Sequence, residues 1–373
     1  MSEAQDRSRE ANIRGRGAAS NPRNRFESTW HERDPDVEGL APIDDDARSA
    51  SATVFIADAT RSIIARNNSP DIPFDASINP YRGCEHGCSY CYARPSHEYL
   101  GFSAGLDFET KIVVKHDAAT LLRKELSSTR WIPTPLSISG VTDAYQPVER
   151  RLRLTRSCLE VLAEFRNPVG IVTKNRLVTR DADLLGELSR HDAAMVFLSV
   201  TTLDMNLSRR LEPRASTPAQ RLQAMEMLSM QGIPVGVMMA PVIPGLTEHE
   251  VPAILGAAAK AGAKHASYVP LRLPLAVAPL FEDWLDRHEP GRKEKIMGRI
   301  RGMREGRLND PRFGSRMNGS GAFAEIIDAM FNAECRRLGL NRQVQKLSTS
   351  AFQRPGEPIK PKPVAFQQRR LFD

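Results

Sequence analysis

The chain has 373 residues, of which 41% are hydrophobic and 26% are charged. This composition allows a sizeable buried core in one large or two medium domains, and it excludes a chain that is disordered as a whole. Lys and Arg number 52 against 45 Asp and Glu, a net charge of +7 that favours contact with anions without identifying nucleic acid as a ligand. The longest apolar stretch, residues 232–246, is too short to span a bilayer and is interrupted by three prolines. We therefore expect a cytoplasmic protein without a membrane segment.

Residues 1–50 carry opposite charges in their two halves. Arginines cluster in the first half around Gly15 and Gly17, and Asp and Glu dominate the second half. Apart from Phe26 and Trp30, few side chains here can pack in a core, so the composition predicts a flexible, disordered arm. The alternative is a basic arm that contacts nucleic acid or covers the mouth of an active site.

From about Ala76, short β-branched or apolar runs alternate with helical stretches about six times. The predicted strands are 77–81, 136–140, 169–173, 195–201, 234–239 and 265–270. The predicted helices between them are 118–127, 149–165, 181–189, 217–231 and 248–261. Six β/α units are too few for a closed eight-fold barrel, so the pattern predicts an α/β fold with a partial (β/α)6 TIM-type barrel over residues 75–275. Such a barrel carries its chemistry at the carboxyl ends of its strands.

The fourth of these helices has clear end signals. Thr217 is a predicted N-cap, Pro218 suits the first turn, and Gly232 suits the position after the last turn.

The alternation ends near Pro274, and residues 276–340 predict a helical, basic extension that closes with an amphipathic helix at 322–338. Residues 287–316 hold ten Lys or Arg against four acids, which indicates either a solvated helical face or a surface that follows phosphates. Residues 341–373 predict an extended tail rich in Pro and basic residues.

Three of the five cysteines fall within eight residues, which does not suit the disulfide framework of a secreted protein. Cys84, Cys88 and Cys91 form a C-x3-C-x2-C arrangement after the first predicted strand. Three thiolates this close can bind three irons of a [4Fe-4S] cluster and leave one iron without a protein ligand. Zinc, with His86 or His97 completing a Cys3His site, is the alternative.

This spacing, with Tyr90 directly before the last cysteine and β/α units following, resembles the radical S-adenosylmethionine (radical SAM) superfamily across residues 75–275. The resemblance implies a partial barrel, a [4Fe-4S] cluster held by the three cysteines, and S-adenosylmethionine (SAM) bound at the open iron. It also implies an enzyme in which the reduced cluster cleaves SAM to methionine and a 5'-deoxyadenosyl radical, which takes a hydrogen atom from a substrate. A reductant such as flavodoxin or ferredoxin is then expected as a partner.

Polar side chains at the ends of the predicted strands are candidates for contacts with SAM. They are Ser139, Thr142 and Asp143 after the second strand, Lys174 and Asn175 after the third, and Ser199 and Thr201 at the end of the fourth. Arg214 is expected to form a forked pair with the methionyl carboxylate. Ile243 and Gly245 lie in a segment that resembles the superfamily's adenine-contacting G-x-I-x-G-x-x-E element, with Pro241 in place of its first Gly. The alternative for each residue is a helix cap or a turn.

Within the superfamily, four segments most resemble the spore photoproduct lyase and DNA repair photolyase group. They read NPYRGC at 79–84, YCY at 90–92, HEYLG at 97–101 and TD-x-YQP at 142–147. In the lyase, two tyrosines that flank the last cluster cysteine pass a hydrogen on, and they match Tyr90 and Tyr92. The lyase's hydrogen-donating cysteine has no counterpart, because residues 136–145 contain no cysteine and Cys158 lies inside the next predicted helix. We therefore do not expect photoproduct repair itself, and packing around the cluster is the alternative for the two tyrosines.

Three functions remain open at this point. The first is a radical enzyme that acts on a base or lesion of DNA or RNA, and the second is a radical enzyme that acts on a small molecule or peptide. The third is a non-catalytic iron-sulfur scaffold, and a zinc protein stays open beside these three. Residues 368–372, Gln-Arg-Arg-Leu-Phe, also resemble the peptide by which bacterial DNA enzymes dock on the sliding clamp, which predicts a clamp contact through the tail.

Overall fold

The computed structural model describes residues 13–27, 52–343 and 346–356, which form two β-sheets and a set of helices. Within these residues the strands are β1 Val54–Ala57, β2 Ile64–Arg66, β3 Ala76–Ile78, β4 Tyr81–Arg82, β5 Lys111–Val114, β6 Leu136–Ile138, β7 Val169–Thr173, β8 Ala194–Ser199, β9 Val235–Val242 and β10 His265–Pro270. The larger sheet has the order β10-β9-β8-β7-β6-β3-β2, and the smaller sheet has the order β1-β5-β4.

Six strands of the larger sheet, β3 and β6 to β10, are parallel and correspond to the six predicted strands. Leu136 and Ile138 of β6, and Val169 and Ile171 of β7, are fully buried. Strands of a parallel sheet are near-continuous apolar runs because helices cover both faces. Strand β2 pairs antiparallel with β3 and ends the sheet on that side. The carboxyl ends of the six parallel strands therefore lie along one edge, which we call the carboxyl edge.

The α-helices of the described residues are α1 Leu106–Thr110, α2 Ala118–Ser127, α3 Glu149–Leu152, α4 Leu154–Phe165, α5 Ala182–Ser189, α6 Met205–Leu211, α7 Pro218–Met230, α8 Val251–Lys260, α9 Val277–His288, α10 Lys293–Gly302, α11 Ser315–Asn318 and α12 Ala322–Leu338. Short 3-10 helices cover Arg94–Leu100, Arg176–Asp181, Glu248–Glu250 and Pro290–Arg292.

Helix α7 shows why the predicted helix ends were readable from the sequence. The Thr217 hydroxyl accepts a hydrogen bond from the Gln220 amide, the Gln220 side chain bonds back to the Thr217 amide, and Pro218 occupies the first turn. Gly232 follows the last turn in the left-handed region, with φ 75°. The predicted cap, first turn and end of this helix are therefore confirmed.

Two predicted elements are divided in the structure. The predicted strand 77–81 becomes β3 of the larger sheet and β4 of the smaller one, because Pro80 between them has no amide hydrogen to donate to a ladder. The predicted helix 149–165 becomes α3 and α4, with Arg153 in the left-handed conformation at the junction. The Glu149 carboxylate accepts a hydrogen bond from the Thr155 amide at 3.0 Å, so α4 begins with its own cap. The smaller sheet was not predicted, because strands of two to four residues show too little periodicity.

Residues 13–27 pack on the core, although the composition predicted a disordered arm over residues 1–50. The amides of Gly17 and Ala18 donate hydrogen bonds to the carboxylate of Glu109 at 3.0 and 2.9 Å. A β-carbon at position 17 would lie 1.8 Å from the carbonyl oxygen of Gly87, so this close approach requires glycine. Composition does not report such backbone contacts, which is why it predicted a solvated arm. Residues 1–12 and 28–51 lie outside the described residues.

Helices α9 to α12 form the predicted helical extension, and α12 packs against α8. Many basic side chains of residues 287–316 have acidic partners within the protein, as Arg316 has with Asp71 at 2.6 Å and Lys293 has with Asp286 at 2.7 Å. Arg304 is buried and donates to the carbonyl groups of Pro270 and Leu271. Much of this basic segment therefore has a structural role, which favours the first of the two alternatives for it.

The described part of the tail, residues 346–356, runs along α2 and α4. The Gln353 amide donates to the carbonyl of Phe165 at 3.0 Å, and the Arg354 guanidinium donates to the carbonyl of Ser128 at 3.2 Å. Residues 357–373, with the predicted clamp peptide at 368–372, lie outside the described residues. Among the helices that the structure describes, none has the length and apolar character needed to cross a bilayer.

Candidate functional site

The three clustered cysteines lie on residues 83–92, which we call the cysteine loop, beside the carboxyl edge of the larger sheet. All three thiols are free; Cys84 and Cys88 are buried, and Cys91 is partly buried. The loop is a series of tight turns, in which the Gly87 amide donates to the Cys84 carbonyl at 3.4 Å and the Cys91 amide donates to the Cys88 carbonyl at 3.2 Å. Gly83 and Gly87 have φ of 78° and 66°, which favour glycine.

The chemistry of this donor set fits an iron-sulfur cluster. Burial and, to a smaller extent, the nearby Cys84 raise the pKa of the Cys91 thiol to about 11, so these two thiols lie close enough to interact. Among the described residues, no group of three or more His, Cys, Asp or Glu side chains converges on a single metal ion. A zinc site needs such convergence, whereas each cysteine of a [4Fe-4S] cluster binds a different iron. The donor set therefore fits the cluster better than it fits zinc.

Thr142 and Gln146 fix the start of the cysteine loop. The Thr142 hydroxyl donates to the Gly83 carbonyl at 2.6 Å, and the Gln146 amide group donates to the same carbonyl at 3.3 Å. The Gln146 carbonyl oxygen accepts from the Glu85 amide at 2.9 Å, and this side chain is fully buried. The side chains of Thr142 and Gln146 thus hold Gly83 and Glu85, the two neighbours of Cys84 in the chain.

Asp143 and Asn175 hold His86, which lies between the first two cysteines. The Asp143 carboxylate lies 3.3 Å from Nδ1 of His86, and the Asn175 amide nitrogen lies 3.3 Å from Nε2. Burial alone would lower the pKa of His86, but Asp143 and Cys84 raise it to about 10. Burial would likewise raise the pKa of Asp143, but His86 lowers it to about 2. Each partner thus shifts the pKa of the other towards its charged form, and the contact fixes the conformation of this part of the loop.

Arg94 and Glu109 hold the middle of the cysteine loop from the other side. The two side chains form an ion pair with no exposed surface, and Nε of Arg94 donates to the Cys88 carbonyl at 3.1 Å. The same Glu109 carboxylate accepts hydrogen bonds from the amides of Gly17 and Ala18. The pair of Arg94 and Glu109 therefore also links residues 13–27 to the loop. A buried pair of this kind is costly to break, since the remaining partner would keep an unpaired charge.

The hydroxyl of Tyr90 lies inside a buried polar network. It donates to the Glu212 carboxylate and lies 3.2 Å from the hydroxyl of Thr201, which donates to the same carboxylate at 2.8 Å. Burial raises the pKa of Tyr90, and the nearby charge of Glu212 adds to the rise. Tyr90 is therefore a neutral hydrogen-bond donor that links the cysteine loop to Glu212 and Thr201.

Glu212 joins that network to two cations. It forms an ion pair with Arg221, in which each side chain is only 1% exposed, and lies 3.5 Å from the ammonium of Lys174. Lys174 in turn donates to the hydroxyl of Ser199 at 2.5 Å and to the carbonyl of Ala240 at 3.0 Å. Burial alone would raise the pKa of Glu212, but Arg221 and Lys174 lower it far below its usual range. The structure thus brings Tyr90, Lys174, Ser199 and Thr201 together through a carboxylate.

Tyr92 has a different environment from Tyr90, because its side chain is 50% exposed at the carboxyl edge. Its hydroxyl donates to the carbonyl of Gly140, just after β6, at 2.7 Å. The guanidinium of Arg272, just after β10, lies 4.9 Å from the centre of its ring. Among the described residues, the Arg272 side chain forms no ion pair and no hydrogen bond. Burial lowers its pKa, whereas Tyr92 and the more distant Asp71 act to raise it, and Asp71 itself pairs with Arg316 at 2.6 Å. An exposed aromatic ring and an unpaired cation therefore stand side by side at this edge.

The remaining predicted cofactor residues are not gathered at one point. Ser139 has φ 86°, and its hydroxyl accepts from the amide of Ala144 at 3.1 Å. Arg214 pairs with Glu85 at 3.1 Å, so a forked pair with a cofactor carboxylate would require it to leave that partner.

The predicted adenine-contacting segment is part of the apolar packing against α10. Ile243 is fully buried in an apolar cluster that includes Cys88 and Tyr90. Gly245, at φ 89°, lies against α10, where an added β-carbon would meet Ile296 at 3.3 Å.

Sequence reasoning considered His86 only as a zinc ligand and Gln146 only as part of the TD-x-YQP segment, and it missed Glu212 and Arg221 as members of this site. Arg221 did carry a signal, because it lies on the buried face of α7 with Ala224, Met225 and Leu228, where a charged residue needs a buried partner. The partner itself had no local signal. Glu212 is nine residues away from Arg221 and 122 residues away from Tyr90 along the chain.

Comparison with known proteins agrees with this geometry. The family model of the Radical SAM superfamily matches residues 78–258. An uncharacterized protein of Mycobacterium tuberculosis (strain ATCC 25618 / H37Rv) is 34% identical over 279 residues, which cover 70% of this chain and 82% of that protein. An uncharacterized protein of Methanocaldococcus jannaschii is 31% identical over 173 residues, which cover 46% of this chain and 62% of that protein.

The fold is also similar to solved structures of spore photoproduct lyase. A mutant of that enzyme with bound AdoMet and dinucleoside spore photoproduct has a TM-score of 0.54 and 16% identity, and the match covers 78% of this chain and 82% of that chain. The enzyme complexed with dinucleoside spore photoproduct also has a TM-score of 0.54 and 16% identity, over 79% of this chain and 82% of that chain. At this identity the likeness shows the fold alone, and it confirms the predicted partial barrel.

Family and fold thus agree with the three free cysteines on one loop. Radical SAM enzymes need an external reductant for their cluster. The chain therefore belongs to the Radical SAM superfamily, and it is a radical SAM enzyme whose cofactors are a [4Fe-4S] cluster and S-adenosylmethionine.

Proposed function

We propose that this enzyme abstracts a hydrogen atom from a nucleotide unit of DNA or RNA held at the carboxyl edge. The observation that carries the proposal is the position of Arg272 beside Tyr92. A guanidinium without an acidic partner among the described residues is a good ligand for a phosphate, because its fork of donors matches two phosphate oxygens. A half-exposed aromatic ring offers a surface on which a base can stack.

When bound, the cluster and SAM would supply the radical chemistry, and the protein would supply the binding and orientation of both. We propose that Cys84, Cys88 and Cys91 ligate the cluster. Lys174, beside Ser199, is the cation that we expect to meet the methionyl carboxylate of SAM.

The other predicted SAM ligands have more specific expected roles. Thr142, Asp143 and Asn175 position the cysteine loop through Gly83 and His86. Tyr90 is expected to position Glu212 rather than to carry a hydrogen atom, because its hydroxyl is buried in the network.

Spore photoproduct repair is not part of the proposal. Cys158 is fully buried in the apolar core, and burial raises the pKa of its thiol to about 12. A thiol in that position cannot reach a substrate at the carboxyl edge, so it offers no hydrogen donor there. Tyr92 is the tyrosine that we expect to contact the substrate.

The test is anaerobic reconstitution with iron and sulfide, then reduction with dithionite in the presence of SAM. The rate of 5'-deoxyadenosine formation would be followed chromatographically with ultraviolet-irradiated and unirradiated DNA and RNA oligonucleotides. We expect one of these nucleic acids to stimulate the rate. Stimulation by a peptide or small-molecule fraction alone would contradict the proposal and favour the second function considered above.

A matched pair of variants tests the role of Arg272 directly. Arg272→Gln should raise the half-saturating nucleic acid concentration about tenfold, since a hydrogen bond to a charged group contributes about 1.5–3 kcal/mol. Arg301 of α10 is exposed and forms no ion pair within the described part of the chain. Arg301→Gln therefore removes the same charge and should change the half-saturating nucleic acid concentration little. Equal effects of the two substitutions would show that only net charge matters.

A further inference from the structure

A groove open to solvent lies beside the cysteine loop. It consists of two adjoining cavities of about 350 and 430 Å³ that share Phe55, Glu85 and Arg214 as lining residues. The charged residues of its lining are five arginines and one glutamate: Arg14, Arg16, Arg150, Arg151, Arg214 and Glu85. We call this surface the arginine groove.

The positive charge of the arginine groove is only partly neutralised within the protein. Glu85 pairs with Arg214 at 3.1 Å. Arg14, Arg150 and Arg151 are exposed, and among the described residues none of them has an acidic partner. Counted over the described residues, the groove therefore has an excess of positive charge, which attracts an acidic partner.

An aromatic side chain lies within this charged rim. Phe55 of β1 is 37% exposed, and the guanidinium of Arg151 lies 4.9 Å from the centre of its ring. Protein interfaces are enriched in Arg and aromatic residues, and exposed rings act as anchors inside a polar rim. The composition of the groove is therefore that of a protein-binding surface.

The arginine groove is joined directly to a ligand of the cluster. Glu85 in its lining follows Cys84 in the chain, so their α-carbons are about 3.8 Å apart. The Glu85 amide is held by Gln146 at 2.9 Å, and its carboxylate accepts from the amide of Val148 at 2.7 Å. A protein docked in the groove would thus contact a rigid part of the cysteine loop. Such contact favours electron transfer, because its rate falls steeply with distance.

We propose that the arginine groove is the docking surface of the external reductant, a small acidic one-electron carrier protein. One electron passes from the reduced carrier to the cluster, so the carrier is oxidised and the cluster is reduced by one electron, and no bond is broken. The inference rests on the proposed function only in requiring that Cys84, Cys88 and Cys91 hold the cluster. Nucleic acid is the less suitable occupant, because the groove shares no residue with the Tyr92 and Arg272 position.

The experiment compares two double charge reversals in the full-length, reconstituted protein. Arg150→Glu with Arg151→Glu changes the groove. Arg130→Glu with Arg190→Glu is the matched control, because both of these arginines are exposed, lack ion pairs within the described residues, and precede β6 and β8 at the opposite edge of the sheet. Reduction of the cluster by reduced flavodoxin would be followed by its visible absorbance in a stopped-flow instrument, with dithionite as the second reductant.

We expect the groove variant to lower the second-order rate constant with flavodoxin about tenfold at low salt, with a smaller difference at high salt. The control should change this rate little, and both variants should be reduced by dithionite at the rate of the unmodified protein. That last result would also show that both variants are folded.

Three outcomes would overturn the inference. The first is an unchanged rate of reduction of the groove variant by flavodoxin, and the second is an equal loss of rate in the control variant. The third is a groove variant that loses salt-sensitive DNA binding while its rate of reduction by flavodoxin stays normal. Failure of the proposed function would be visible separately, because no nucleic acid would then stimulate 5'-deoxyadenosine formation by the unmodified protein reduced with dithionite. If no cluster forms, calorimetric titration of flavodoxin into the full chain still distinguishes the groove variant from the control.

Discussion

The substitution Glu212→Gln tests the buried network that joins Tyr90 to Lys174 and Arg221. Glutamine has nearly the same shape but no charge, and its NH2 group would face groups that are themselves donors. Arg221 is 1% exposed, so the substitution leaves a buried cation without its counter-ion. Loss of one partner of a buried ion pair costs about 3–5 kcal/mol in the free energy of unfolding.

The measurement is urea unfolding of the cluster-free protein, so that loss of the cluster does not contribute to the transition. With a slope of about 3 kcal/mol per molar urea, the expected cost lowers the midpoint by roughly 1 M or more. Glu160→Gln is the matched control, because Glu160 is 54% exposed and pairs with Arg156 at 3.3 Å. An exposed pair contributes about 0–1 kcal/mol. Equal midpoint shifts in the two variants would refute the role of the buried network.

The pH dependence gives an independent check on the same carboxylate. The pKa of Glu212 is lower in the folded state than the value of about 4.3 expected in the unfolded chain. Its contribution to stability is therefore complete above that unfolded value and is lost as the pH falls towards the folded value. The stability difference between the unmodified protein and Glu212→Gln should be constant from about pH 6 to 8 and should shrink below about pH 4. A difference that grows at acidic pH would contradict this assignment.

Three further predictions concern the cysteine loop and its surroundings. Cys84→Ala should abolish the visible iron-sulfur absorbance after reconstitution. Cys158→Ala should keep this absorbance and lower the free energy of unfolding by about 1 kcal/mol. Loss of the absorbance in both variants would contradict the assignment of Cys84 as a ligand. Gly17→Ala should release residues 13–27 and speed tryptic cleavage there about tenfold. Gly186→Ala is the control, because its added β-carbon meets nothing within 4 Å, and it should leave the cleavage rate unchanged. Equal cleavage of the two variants would show that the contact of Gly17 with Gly87 is weak. Lys174→Met should weaken SAM binding about tenfold in a titration of the cluster-loaded protein, and an unchanged affinity would remove Lys174 from the SAM site.

Much of the barrel could be predicted from the sequence because its signals are local. The strands 169–173 and 265–270 and the helices 118–127 and 322–338 have the predicted bounds, since apolar periodicity and end signals act within a few residues. The cysteine spacing is equally local, because a short loop can ligate a cluster only if its thiols are close in the chain. The sequence by itself therefore determined the fold class and the family, and it predicts Cys84, Cys88 and Cys91 as the ligands of the cluster.

The tertiary structure decided which polar residues meet. Thr142, Asp143 and Asn175 remain predicted SAM contacts, and the structure shows in addition that they bond to Gly83 and His86 of the cysteine loop. The sequence placed them at strand ends but could not show which way each side chain turns. The same is true of residues 13–27, whose contact with Glu109 joins segments about 90 residues apart. Such contacts depend on how the whole chain closes around the sheet, so no local pattern in the sequence encodes them.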